Sequence, residues 1–194
     1  MTANTFRRKY LKWHKSYEGR AYKEFIKVFR SWGNNIDFSM MTEGNYKEVV
    51  RNSVNVKMMF DAYKTVYTEI GLLNGRRTGS MILKQFKFFT IGEFESLYIN
   101  DLILWLQENG SKRIVLLEQT YQADINRIIG KGFEEGKGIE EIARNLKTFI
   151  NKRSFYRWQA QRIARTEATG AANMGAIKAG RISGVVMDKV WISA

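Results

Sequence analysis

Residues 154–184 read SFYRWQAQRIARTEATGAANMGAIKAGRISG. Within them Ala160, Ala164, Ala168, Ala172, Ala176 and Gly180 recur every four residues, a series of small side chains that winds slowly around a helix. Low side-chain volume lets a neighbouring element approach the backbone closely. The stretch therefore predicts a long terminal helix, capped at Ser154, that packs tightly within the fold or against another subunit. The chain has no proline, so no helix is forced to kink, and punctuation falls to glycines and capping residues.

Upstream of this helix, Ile139, Ile142, Leu146 and Phe149 or Ile150 step by three and four, with Glu140 and Glu141 in a first turn where they offset the helix dipole. Gly130, Gly132, Gly136 and Gly138 mark the best boundary, between residues 1–136 and 137–194. Before it, residues 111–135 carry a stripe of Ile114, Leu117, Tyr121, Ile125 and Ile128 or Ile129. Thr90 with Glu93, and Asn45 with Glu48, have capping-box spacing. They open helices expected to end at Asn109-Gly110 and near Leu73, respectively. The glycines of NGRRTGS, with Gly71, read as a polar stop and an exposed hairpin. Residues 1–31 form a basic amphipathic arm in which Phe6, Tyr10, Trp13, Tyr17, Ala21, Phe25, Val28 and Phe29 share one face. After Gly184 the sequence VVMDKVWIS is β-branched and partly alternating, and reads as short strands. The expected fold class is mostly α, with long helices in the N-terminal region and a small α+β C-terminal domain ending in a short β element.

Lys and Arg outnumber Asp and Glu 32 to 19, giving 194 residues a net charge of +13 and an anionic partner as the simplest use of that field. There is no cysteine, which excludes disulfides, thiolate chemistry and Cys-ligated zinc. The single histidine, His14, excludes His-pair metal sites and reads as an ordinary surface or interface residue. The arginines at the N-terminus are followed by no apolar run, and the apolar stretch from Leu97 to Leu106 is interrupted by Asn100 and Asp101, so neither a signal peptide nor a membrane span is expected.

Several basic groups have the density of phosphate contacts that bind without reading base sequence. Residues 145–165 hold Lys147, Lys152, Arg153, Arg157, Arg162 and Arg165 and no acid. Arg7, Arg8 and Lys9 lie in the arm, and Arg76 and Arg77 in the glycine-rich segment. That segment is no P-loop, since no lysine follows Gly79. Lys84, Phe86, Lys87, Phe88 and Phe89 interleave charge and rings as a stacking platform does, although core packing explains the rings more simply. Glu167 has no basic residue three or four positions away, so burial of this carboxylate requires a tertiary partner. No acidic set stands apart as a two-metal or acid/base centre, and neither a catalytic residue nor a metal or other cofactor is expected.

GIEEIA at 138–143, RIARTE at 162–167, ANMG at 172–175 and KVWIS at 189–193, in that order and spacing, resemble the phage head-morphogenesis, or minor head protein, family of the Mu F type. The resemblance covers residues 138–194. Arg165, Thr166, Glu167, Asn173 and Trp191 fall on its motif, and it implies that the first three brace the final helix against the terminal strand, with Trp191 as packing anchor. Family members continue past the tryptophan with an Asp, an Arg and a His that this sequence does not include, so no role of that segment is carried over. What the resemblance implies is a non-enzymatic virion component made in the host cytoplasm. Its place is the head interior or portal vertex, its partners are the portal protein or inner capsid proteins and non-specific double-stranded DNA, and its role is head assembly or DNA delivery. Two alternatives remain open: a small metal-dependent DNA-processing enzyme, and a capsid cargo or scaffold protein ejected with the genome.

Overall fold

Seven α-helices account for most of the chain in a computed structural model, which describes residues 3–83, 90–151 and 155–184. They are α1 (Ala3–Asn34), α2 (Tyr46–Ser53), α3 (Val56–Leu83), α4 (Ile91–Trp105), α5 (Ser111–Glu134), α6 (Ile139–Asn151) and α7 (Phe155–Ile182). Tyr17 reaches Asn74 while Trp32 donates its indole N–H to Asn55 O at 3.0 Å, so α1 runs antiparallel to α3. Tyr67 meets Gly170 and Gly71 meets Gly175, so α3 and α7 run parallel. The α4–α5 segment lies antiparallel to both, with Phe94 over Gly75, Tyr98 over Gly71 and Arg113 on Glu167.

The small-residue series of α7 forms its buried seam, with one drift. Ala160, Ala164, Ala168, Ala172, Gly175 and Ala179 are buried, while Ala176 is only half-buried. A strict four-residue step drifts around a helix with 3.6 residues per turn, and the seam corrects this by stepping three residues from 172 to 175. At Gly175 a Cβ atom would lie 2.0 Å from Gly71 O, so the two backbones touch with no side chain between them. Asn74 Nδ2 donates to Ala172 O at 2.8 Å just above this contact.

This packing corrects two expectations. NGRRTGS does not stop a helix: α3 continues through it to Leu83 because Gly71 and Gly75, one turn apart, make room for Tyr98, Phe94 and α7. Nor is there a small α+β C-terminal domain. Among the described residues no strand occurs, and Ile139–Asn151 and Phe155–Ile182 form α6 and α7, whose buried side chains join one core with Tyr17, Phe25, Phe29, Trp32, Tyr63 and Tyr67. A helix with an Ala/Gly seam needs a close neighbour, and here α3 of the N-terminal region is that neighbour. The strand expected after Gly184, with Trp191, lies outside the described residues, as do the Lys84–Phe89 stretch and the Ser154 cap.

Two further boundaries differ. The helix opened at Asn45 breaks at Val54-Asn55, where Trp32 takes Asn55 O and Asn55 Oδ1 accepts from Met58 N at 3.3 Å to start α3. The Asn45 side chain accepts from Thr42 N at 2.7 Å and makes no capping bond to α2. Asn109-Gly110 does not end a helix either, because Leu106–Gly110 form one π-helical turn that carries α4 directly into α5. The Thr90–Glu93 capping box forms as its spacing predicts, and its hydrogen bonds hold the Glu93 carboxyl below its ordinary pKa. Glu140 and Glu141 occupy the first turn of α6.

Gly175→Ala should cost about 3 kcal/mol in urea unfolding, since the backbones have to separate. That corresponds to a melting temperature lower by roughly 6–12 °C. Gly19→Ala, at an open mid-helix position of α1, should instead gain about 0.5–1 kcal/mol.

Candidate nucleic-acid interface and the Glu167 clamp

Helix α1 sorts its charge by face. At 3.6 residues per turn, Arg8, Lys9, Lys12, Lys15, Lys23, Lys27 and Arg30 fall within a sector of roughly 120°. All seven are exposed. Tyr17, Ala21, Phe25, Val28, Phe29 and Trp32 turn the other way, into the core. The two acids of the helix lie outside the cationic sector. Glu24 pairs with Lys27 at 2.8 Å and Glu18 looks toward Arg165 of α7 at 3.7 Å. Arg8, Lys9, Lys12, Lys15, Lys23 and Arg30 have no carboxylate partner among the described residues. From Arg8 to Arg30 the stripe spans about 33 Å, close to one turn of duplex DNA.

The sequence-predicted basic residues divide accordingly. Arg8 and Lys9 belong to the stripe; Arg7 is in α1, but its side chain lies outside the described set, as do Lys152 and Arg153. Arg157 is exposed two turns before Arg165, and Arg165 is the one that lies beside Glu18 of α1. Arg162 is exposed with its guanidinium 4.8 Å over the Trp158 ring, and Lys147 is exposed over Phe38 at 6.0 Å. Arg76 and Arg77 are engaged within the fold. Arg76 binds Glu95 at 2.7 Å, whereas Arg77 donates to the Tyr17 hydroxyl and lies 4.6 Å over Trp13. His14 sits between Tyr10 and Tyr17, and burial lowers its pKa against a weaker opposing pull from Glu18.

Glu167 is buried, at 4 % exposure, and its tertiary partners come from two other helices. Arg113 Nη1 of α5 donates to both carboxylate oxygens at 2.8 Å, and the Tyr67 hydroxyl of α3 donates to Oε2 at 2.8 Å. Burial, reinforced by this carboxylate, raises the pKa of both Tyr63 and Tyr67 far above the ordinary phenol value, so both stay neutral donors. Tyr98 donates to Tyr67 O at 2.7 Å, and Trp105 stacks on Tyr67 at 4.5 Å and lies 5.4 Å from the Arg113 guanidinium. The clamp thus fastens α7 to α3 and α5. None of Arg113, Tyr67, Tyr63 and Trp105 was singled out by the sequence, which showed only that Glu167 lacked a local partner. Thr166 bonds back to Arg162 O at 3.2 Å.

Beside the clamp, a cleft of about 740 Å³ opens between α4–α5 and α7. Tyr67, Trp105 and Met174 form its floor, the exposed Asn173 lies on its wall, and Lys178 bridges it to Asp101 at 2.6 Å. Its charged lining is mixed, Asp101 and Glu108 against Arg113, Lys178 and Arg181, and shows no strong excess that selects a ligand. Among the described residues no group of three or more His, Cys, Asp or Glu converges as a metal site, and no helix is long and apolar enough to cross a membrane.

Arg113→Ala, which leaves a buried carboxylate without its cation, should destabilise by about 3–5 kcal/mol. Glu167→Gln keeps an acceptor for Tyr67 and leaves Arg113 half in water, so it should cost only about 1–3 kcal/mol. In a double-mutant cycle read by urea unfolding, the pair together should cost less than the two single changes added. Strict additivity would mean that the clamp is not an energetic unit.

Comparison with known proteins returns no family model, no curated protein and no solved structure that matches this chain.

Proposed function

We propose that this chain is a non-enzymatic minor component of a phage head, one that tethers packaged double-stranded DNA through the cationic stripe of α1 and docks to the portal or inner capsid. The observation that carries the DNA part is the segregation of charge on α1. Six exposed cations without carboxylate partners among the described residues share one face, while both acids of the helix stand off it. A solvated helix whose only task is solubility has no need to keep the two signs apart. The phage-head part is supported by the motif order of residues 138–193 and by a buried, tertiary-paired Glu167 at the end of its RIARTE segment.

The mechanism is electrostatic. Each phosphate neutralised by a lysine or arginine releases condensed counterions, so affinity is independent of base sequence and falls steeply with salt. A stripe about one duplex turn long lets several phosphates be met at once without bending the DNA.

Fluorescence anisotropy with a labelled duplex tests this reading. Affinity should fall by about 10³-fold between roughly 50 and 200 mM salt if six phosphates are engaged. Replacing Lys12, Lys23 and Arg30 together by Glu should reduce the log–log salt slope by about 2.7 or more. A wild-type affinity that does not respond to salt would remove the tethering mechanism.

A further inference from the structure

Trp158 is an exposed aromatic side chain that the stripe and the clamp leave unexplained. It is 58 % exposed on the second turn of α7, although the same helix buries Tyr156 and Gln159 on either side of it. Its surroundings are cationic. Arg157 precedes it, Arg162 lies 4.8 Å over its ring, and Arg165, 66 % exposed although 3.7 Å from Glu18, follows one turn later. No acid occurs from residue 145 to 165. Arg162 does two things at once: it fixes the plane of the indole by a cation–π contact, and it separates the indole from a recess of about 380 Å³ that belongs to the Arg113–Glu167 clamp.

From this arrangement we infer that Trp158 and Arg162 form a stacking platform for an unpaired nucleobase, with Arg157 and Arg165 placed to meet the flanking phosphates. The site takes single-stranded nucleic acid. A basic track beside an exposed aromatic ring is what sequence-tolerant single-strand binding requires, because every base offers a π-face and the cations follow the backbone. Paired bases inside a duplex keep their faces covered, so the platform adds nothing to duplex affinity. An indole meant for a protein partner is as exposed, but the surplus of cations around it favours a polyanion over a neutral protein surface. The proposal rests on the nucleic-acid reading of this chain but uses a different helix from the duplex stripe, and the two are separable by experiment.

The test compares a labelled twelve-residue oligo-dT with a duplex of equal length, using wild type, Trp158→Ala, Trp158→Leu, Trp158→Phe and the Lys12/Lys23/Arg30→Glu variant. Trp158→Ala and Trp158→Leu should weaken oligo-dT binding about tenfold or more, whereas Trp158→Phe, which keeps a ring, should stay within about threefold of wild type. All three should leave duplex affinity within about twofold. Circular dichroism melting of the Leu and Phe variants confirms that the comparison is made on folded protein. Unchanged oligo-dT affinity in Trp158→Leu overturns the proposal and leaves the indole to a protein contact; equal losses on both DNA forms also overturn it. Loss of duplex binding confined to the α1 variant, with no effect of Trp158, would sustain the stripe and discard the platform. Oligo-dT binding that depends on Trp158 without any duplex binding would do the reverse.

Discussion

The contact on which the rest of the molecule depends is the approach of α7 to α3 at Gly175 and Gly71, where backbone meets backbone. With no side chain between them, the two helices bring Glu167, Tyr67 and Asn74 into register, and polar groups that would be costly in a core find partners there. A buried carboxylate carries a desolvation penalty of several kcal/mol unless a cation and further donors meet it. Arg113 and Tyr67 meet this one from two different helices, so the clamp forms only when α3, α5 and α7 are assembled together. Arg113 stays half-exposed, and the pair therefore keeps one charge partly in water.

From that packing the surface follows. Helix α1 lies along α3 and α7 through Tyr17, Phe25, Phe29 and Trp32, which spends its apolar face on the core and turns the opposite face, with its lysines and arginines, to solvent. The fold does not choose those residues, but it does fix them in one line. The same applies to Trp158, which the α7 seam at Tyr156 and Ala160 rotates away from the interior.

Much of this was legible from residue periodicity. The stripe of α5, the core positions of α6 and the Thr90 box stand where their spacing predicts. The failures share a cause. Gly71, Gly75 and Gly79 look like punctuation when only neighbours in sequence are considered, yet Phe94 and Tyr98 occupy the space that missing side chains leave at two of them. Asn109-Gly110 resembles a helix stop, but a π-helical turn with Gly110 in ordinary helical conformation carries the chain straight on. The absence of a local partner for Glu167 was visible in the sequence; the identity of Arg113, 54 residues away, was not, because nothing in local spacing encodes a contact between two helices. The sorting of cations to one face of α1 was visible in part, since the apolar face alone places the charged one opposite.

The central claim is that α1 presents its cationic face, and not merely its net charge, to duplex DNA. Mass-spectrometric measurement of lysine acetylation with and without duplex tests it most directly. The account predicts protection of Lys9, Lys12, Lys15 and Lys23 by DNA, with Lys112 and Lys131 of α5 modified at unchanged rates. Protection spread evenly over all six lysines, or confined to α5, would contradict it.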